Sequence, residues 1–420
     1  MCELYSMNAR KIWAYLKTED ALFWLVNIYL FLEYVKPQAL FPSLDVLPYG
    51  KIVLLSTFVI IFIKKNGPFL KHAGNKLIGL FFLVILFSSA LALSPATAFE
   101  KVPDFLAWMI IFFLITNIVN SEKRFFVFML AFLLYSFKMS QFSFKNWVMQ
   151  GFAFSDWGTG GGPGWFQNSG EFGIQMCVFL PLSAYFFLSL KDHWPRWKRG
   201  LIFLLPFTAL TGTISCSSRG ALLGAGAALL WMLLKSRHKV KGMAVLALVA
   251  VLVFVLLPSE QLERFRQAGE DRTSITRIER WERGIEMAAR YPVFGVGYAN
   301  WRVAERVIFG SAGGLPHNIF IECLSELGYA GLTVFVLMIL STFDTNRRTR
   351  KLASQPGNEN RFHFFMAHGL DGALVGYLVS GFFVTVLYYP YFWINLAMTI
   401  ALNGIARKSG GDYHPFKARA

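Results

Sequence analysis

Two neighbouring arginines have the residue type and the spacing to bind an anionic leaving group. Arg277 and Arg280 lie on adjacent turns near the start of a predicted helix, and neither has a carboxylate three or four residues away. Unpaired guanidiniums beside a helix N-terminus favour binding of an anion. The alternative is that both arginines pair with distant carboxylates or with lipid phosphates.

A third arginine, Arg219, stands between two apolar stretches in SCSSRGALLGAG, with no other charge nearby. An ionisable residue at the end of an apolar stretch is costly in a membrane and is a candidate for a functional site. The alternative is a side chain that reaches lipid headgroups. The glycines Gly220 and Gly224 have the GxxxG spacing typical of helix packing.

His317 is the candidate base, in the stretch LPHNIFIECLSELG ahead of an apolar run. A helix N-terminus disfavours imidazolium, so we expect a neutral ring that can accept a proton near pH 7. Asn318, Glu322 and Glu326 recur every four residues and predict a polar stripe that faces the bundle interior or a wet cavity. The alternatives are a capping or interfacial histidine, and glutamates that pair with buried arginine.

Membrane helices must position these groups. The chain has 420 residues, of which 55% are hydrophobic and 16% charged, whereas soluble domains carry about a quarter charged residues. The apolar runs are roughly 15–20 residues long, enough to cross a bilayer as helix. The composition therefore predicts an all-α polytopic membrane protein. The net charge of +16 lies mostly in short loops, so we expect no nucleic-acid partner, and the cysteines lack metal-ligand spacing.

The apolar segments predict about 12 transmembrane helices, near 20–36, 50–63, 76–94, 103–119, 124–139, 172–190, 200–216, 220–234, 240–257, 319–342, 367–387 and 390–406. Lysine and arginine are concentrated in the loops that then face the cytoplasm, so both termini are predicted to be cytoplasmic. The predicted regions are nine spans in 1–257 with an outer loop at 140–171, a periplasmic loop domain at 258–316, three spans in 317–406 and a cytoplasmic tail at 407–420.

Within 258–316, the stretch TRIERWERGIEMAARYP predicts a helix. Thr276 and Glu279 have the spacing of a capping box, and Pro292 marks the end of the helix. Glu279 and Glu286 each precede an arginine by four residues, which predicts two ion pairs on the helix surface.

Four stretches of the chain resemble the O-antigen ligase superfamily, which also includes O-antigen polymerases and bacterial protein O-oligosaccharyltransferases. They are GPGWFQNSGEFGIQM, SSRGALLG, TRIERWERGIEMAARYPVFGVGYANW and PHNIFIECLSELGYAGL, and they follow the family's order over about 164–331. The NSGE of the first stretch departs from the family pattern, in which many members have a second asparagine.

The resemblance implies a GT-C-like glycosyltransferase of the bacterial inner membrane. Such an enzyme transfers glycan from undecaprenyl diphosphate on the periplasmic face, with inversion and without a metal or other cofactor. The family's essential arginines map onto Arg219 and Arg277, and its essential histidine maps onto His317. The residues predicted to bind substrate are Arg280, Asn318, Trp281, Asn168 and Glu326.

The leading functional prediction is an O-antigen ligase that attaches O-antigen to lipid A–core. An O-antigen or exopolysaccharide polymerase and a protein O-oligosaccharyltransferase are the alternatives within the superfamily. Twelve spans with both ends inside would also suit a transporter, but the chain shows no related halves and its central loop at 191–199 is short.

Overall fold

The computed structural model describes residues 2–64, 67–152, 158–236, 271–311, 313–357 and 359–409, with isolated positions between 239 and 266. The regular elements of these residues are helices, so the all-α prediction is confirmed. The longer helices are α1 Ala9–Lys17, α2 Ala21–Tyr34, α3 Tyr49–Lys64, α4 Ala73–Ala90, α5 Pro95–Ile118, α6 Glu122–Met149, α7 Ser169–Leu190, α8 Arg196–Ser215, α9 Arg219–Lys235, α10 Arg272–Arg290, α11 Trp301–Phe309, α12 Ile319–Leu352, α13 Arg361–Gly381 and α14 Pro390–Ser409.

Among the described residues, four stretches are long and apolar enough to cross a membrane: Ala73–Ala90, Glu122–Met149, Ser169–His193 and Ile319–Leu352. The chain is therefore a multi-pass membrane protein, and the count of about 12 spans stays a prediction. The predicted span 240–257 and the predicted tail 407–420 lie largely outside the described residues. The same holds for the first part of the predicted loop domain, before Asp271.

Two predicted boundaries are wrong. Helix α6 continues to Met149, so residues 140–149 of the predicted outer loop are helical. Helix α10 begins at Arg272, and its N-cap is Asp271, whose side chain accepts a hydrogen bond from the Ser274 N–H. Thr276 therefore lies inside the helix, where its hydroxyl donates back to the Arg272 carbonyl at 2.7 Å. Aspartate is a stronger N-cap than threonine, so the helix begins after Asp271, and the Thr276 hydroxyl bonds to the preceding turn instead.

Of the two ion pairs predicted on α10, one is confirmed and the other is wrong. Glu286 and Arg290 form the expected pair, with 2.5 Å between their oxygen and nitrogen. Arg283 instead pairs with Glu305 of α11 at 2.7 Å, so its predicted pairing with Glu279 is wrong. Glu305 is fully buried, and a buried carboxylate needs a cation far more than the exposed Glu279 does.

Helix α7 lies at the centre of the bundle and packs against α13, α8 and α9. It is buried along almost its whole length. Helices α9 and α13 approach closely at Gly224, where an added Cβ would lie 2.8 Å from the carbonyl oxygen of Gly376. The packing role predicted for the GxxxG pair is thus confirmed at Gly224.

Helix α12 is broken at Gly328, whose φ of 65° and ψ of −167° suit glycine. Segment 292–297 lies against the break and supplies partners for the backbone groups that the break frees. The Tyr329 N–H donates to the Pro292 carbonyl at 2.8 Å, and the Val296 N–H donates to the Ser325 carbonyl, just before the break, at 2.8 Å. Segment 292–297 and the break at Gly328 therefore stabilise each other through backbone hydrogen bonds, because free polar groups inside a membrane helix must find partners in protein.

Candidate functional site

Helix α10 fixes the residues that precede His317. The indole N–H of Trp281 donates to the Pro316 carbonyl at 2.9 Å, and the Arg280 guanidinium donates to the Leu315 carbonyl at 3.2 Å. The Trp281 ring also packs edge-on against a phenylalanine of the α13–α14 connection, with 5.1 Å between ring centroids. Both side chains thus hold the chain that leads into α12, and among the described residues the bond to Leu315 uses one of the five N–H donors of Arg280.

His317 lies two residues before α12, outside the membrane-crossing helix. Its φ of 50° is left-handed, a conformation uncommon for residues other than glycine. Its backbone N–H donates to the Thr385 hydroxyl oxygen at 2.8 Å. The helix cap is Asn318, whose side chain accepts from the N–H groups of Phe320 and Ile321. The capping alternative considered for His317 is therefore wrong, and Asn318 fills that role.

Burial, followed by the charges of Arg277 and Arg280, lowers the pKa of His317 to about 4. The imidazole is therefore neutral at pH 7, and the causes are burial and the arginine charges rather than the helix N-terminus that the sequence suggested. Burial also lowers the pKa of Arg277, followed by the repulsion of Arg219, while Asp271 opposes the shift. Arg277 thus lies within electrostatic reach of Arg219, Arg280 and His317.

Arg219 begins α9 and forms a bidentate pair with Asp271, the N-cap of α10. Its two terminal nitrogens lie 3.0 and 3.3 Å from the two carboxylate oxygens. The hydrogen bond from Arg219 holds the pKa of Asp271 well below its ordinary value. The sequence did not predict this pair, although Asp271 stands three residues before Ser274 in a spacing that could have identified an N-cap.

The α13–α14 connection, residues 382–389, contacts three of the four motif regions and was not predicted to belong to the site. Its contacts are Phe382 with Trp281, Thr385 with His317, Leu387 with Glu322, Tyr388 with Glu326, and Tyr389 with Glu171. The sequence FFVTVLYY reads as the end of one apolar span and the start of the next. Its hydroxyls were the only sign that it bonds to neighbouring segments.

The two buried glutamates of α12 bind backbone and tyrosine donors. Glu326 accepts hydrogen bonds from the N–H groups of Trp301 and Ala299, both at 3.1 Å, and from the Tyr388 hydroxyl at 3.0 Å. Glu322 accepts from the N–H of Leu387 at 3.1 Å. Among the described residues these glutamates form no ion pair with an arginine, so the alternative of pairing with buried arginine is not observed. Substrate binding by Glu326 stays a prediction, and its contacts are those of an anchor.

Asn168 lies at the start of α7 and is exposed. Its amide donates to Glu171 at 2.8 Å, and Glu171 in turn accepts from the Tyr389 hydroxyl at 3.2 Å. The first motif is thus joined to the α13–α14 connection. The contacts of Asn168 run to Glu171 and not to the group formed by Arg219, Arg277 and His317.

The fold and this group of residues define a class: a multi-pass helical membrane protein with a cationic site around a neutral histidine at one end of its bundle. Residues 201–336 match the family model described as O-Antigen ligase. That segment contains Arg219, Arg277 and His317, so the resemblance predicted from the sequence is confirmed there.

A curated relative supports the same superfamily. The Exopolysaccharide production protein ExoQ of Rhizobium meliloti (strain 1021) is 27% identical to the chain over 192 residues, which cover 42% of this chain and 44% of the relative. The chain thus spans less than half the length of this curated relative.

Proposed function

We propose that the chain is a glycosyltransferase that moves a glycan from undecaprenyl diphosphate to an acceptor hydroxyl at the periplasmic face of the bacterial inner membrane. The observation that carries the proposal is the neutral His317 in the field of Arg277 and Arg280. A base beside fixed cations suits a reaction in which a hydroxyl loses a proton while an anionic group departs.

The arginines are assigned to the leaving group. Arg219 and Arg277, with Arg280, would bind the diphosphate and stabilise the charge that develops as the bond from its oxygen to the anomeric carbon breaks. Guanidinium suits this role because it stays charged and donates two parallel hydrogen bonds to phosphate oxygens. Because these arginines lie at one end of apolar helices, the polyprenyl tail of the donor could remain in the lipid while its diphosphate binds.

His317 is assigned to the acceptor hydroxyl, whose attack on the anomeric carbon would invert its configuration. A pKa of about 4 makes the free imidazole a weak base. A bound diphosphate would offset the charges of Arg277 and Arg280, so the pKa of His317 would rise, while the lowering by burial, its largest cause, would remain. The base would then be strongest when the donor is in place.

The leading acceptor is lipid A–core, as for an O-antigen ligase. The name of the 27% identical relative, an exopolysaccharide production protein, favours a second candidate in which the acceptor is a growing polysaccharide chain. A protein hydroxyl is the third alternative. The proposal also includes three further points: both termini are cytoplasmic, the reaction inverts the anomeric configuration, and it requires no metal.

Purified chain in lipid nanodiscs should be incubated with a defined undecaprenyl diphosphate glycan and, separately, with lipid A–core, a polysaccharide fragment or a serine peptide. Mass spectrometry would identify the product and its anomeric configuration. We expect an inverted product with lipid A–core and the same rate in EDTA. Product formed only with another acceptor would reassign the substrate, and transport of the lipid-linked glycan without transfer would contradict the enzyme proposal.

A further inference from the structure

The bidentate pair between Arg219 and Asp271 places a carboxylate on the arginine that the proposed reaction needs. The nitrogen–oxygen distances are 3.0 and 3.3 Å. A planar carboxylate and a phosphate present two oxygens to guanidinium in the same way. The Asp271 side chain thus uses the donor pair of Arg219 that a phosphate would use.

Asp271 is also fixed to its own helix. Its carboxylate accepts hydrogen bonds from the Ser274 backbone N–H at 3.1 Å and from the Ser274 hydroxyl at 2.6 Å. These bonds cap α10, the helix that carries Arg277 and Arg280. The carboxylate would therefore keep partners at the cap if its contact with Arg219 opened.

An anion at this position stabilises the cationic side chains of the site. Arg219 and Arg280 both repel the charge of Arg277, whereas Asp271 stabilises it. Like charges held together in a partly buried place are unfavourable unless a counter-ion offsets them. Asp271 supplies negative charge at the junction of α9 and α10.

The pair is nevertheless open to exchange. The side chains of Arg219 and Asp271 are 20% and 21% exposed, so solvent reaches the pair and screens part of its attraction. A diphosphate carries more charge than one carboxylate and has enough oxygens for several guanidiniums at once. It can therefore compete for Arg219 while it also binds Arg277.

We infer that Asp271 is an internal counter-ion of Arg219, and that a bound diphosphate displaces it from this arginine. The inference rests on the proposed function, since it takes the arginines as the diphosphate site. Asp271 is thus a positioning residue: it holds α9 and α10 together before the donor arrives, and its release accompanies donor binding.

The test compares binding of inorganic pyrophosphate to the purified full chain by isothermal titration calorimetry. Asp271→Asn keeps a good N-cap and removes the competing charge. We expect it to bind pyrophosphate about threefold to tenfold more tightly than wild type, the scale of one partly screened ion pair. Glu282→Gln is the matched control, because it removes one charge from the exposed face of the same helix and should leave binding within about twofold.

Equal or weaker binding by Asp271→Asn would overturn the inference, and so would an equal gain in both variants. If Asp271→Asn folds poorly, Asp271→Ser also retains the cap without the charge and carries the same expectation. The assay needs no glycan transfer. Tighter binding by Asp271→Asn in a protein that transfers no glycan would leave the counter-ion inference standing while the glycosyltransferase proposal fails.

Discussion

The backbone N–H of His317 donates a hydrogen bond to the hydroxyl oxygen of Thr385, 2.8 Å away. This bond joins the residue before α12 to the connection between α13 and α14. It holds His317 in a left-handed conformation, with φ of 50°, at a cost of about 1 kcal/mol or more. The imidazole is thereby directed by a segment distant in sequence.

Thr385→Val should reduce the rate of transfer without removing any proposed catalytic group. Loss of the acceptor leaves the His317 N–H unpaired at a cost of about 1 kcal/mol, so we expect kcat to fall about fivefold to tenfold. Thr385→Ser keeps the hydroxyl and should stay close to wild type. Steady-state kinetics with a lipid-linked donor would check this, and equal kcat values for Val and Ser would show that the bond does not position His317.

The pH dependence of transfer should have two different acid limits. The reaction requires neutral His317, so activity falls as the pH drops through its pKa. In the free enzyme that pKa is about 4, and kcat/KM should fall near this pH. In the donor complex the diphosphate offsets the arginine charges, so kcat should fall at a higher pH than kcat/KM does.

Arg277→Gln serves as the control for that profile. It removes the largest charge that lowers the pKa of His317, so the acid limit of kcat/KM should move to higher pH. An acid limit that is unchanged in Arg277→Gln would show that His317 is not the titrating group.

The sequence predicted which residues lie near one another at the candidate site better than it predicted the contacts that hold them there. Isolated charges at the ends of apolar runs identify Arg219 and His317, because such groups are costly in a membrane unless they act or pair. Thr385 carried no comparable signal: it lies in an apolar run, and its role depends on long-range contact with His317. The pairing of Arg283 with Glu305 was missed for the same reason, since spacing along a helix reports only local partners.

Gly328→Ala should destabilise the protein. A Cβ at this position would lie 2.4 Å from the Val293 carbonyl oxygen, and the φ of 65° is strained for alanine. We expect a loss of about 2 kcal/mol or more and a lower melting temperature, measured by tryptophan fluorescence in detergent. Gly226→Ala in α9 meets nothing within 4 Å and should melt like wild type. Equal melting temperatures of both variants would contradict the close packing of segment 292–297 against the break in α12.

Glu326→Gln should separate anchoring from substrate binding. The carboxylate accepts from Trp301, Ala299 and Tyr388, and an amide must turn a donor group toward one of these donors. We expect a loss of about 2 kcal/mol in stability, seen as a lower melting temperature, with donor KM nearly unchanged at temperatures where the variant is folded. A raised KM with normal melting would instead support direct substrate binding by Glu326.

The most direct test of the central claim is glycan transfer by purified His317→Asn. Asparagine tolerates the left-handed backbone but cannot serve as the base, so the variant should fold and bind the donor as wild type does. We predict a fall in kcat of about 100-fold or more with an unchanged melting temperature. Transfer at the wild-type rate by a folded His317→Asn protein would contradict the assignment of His317 as the group that activates the acceptor.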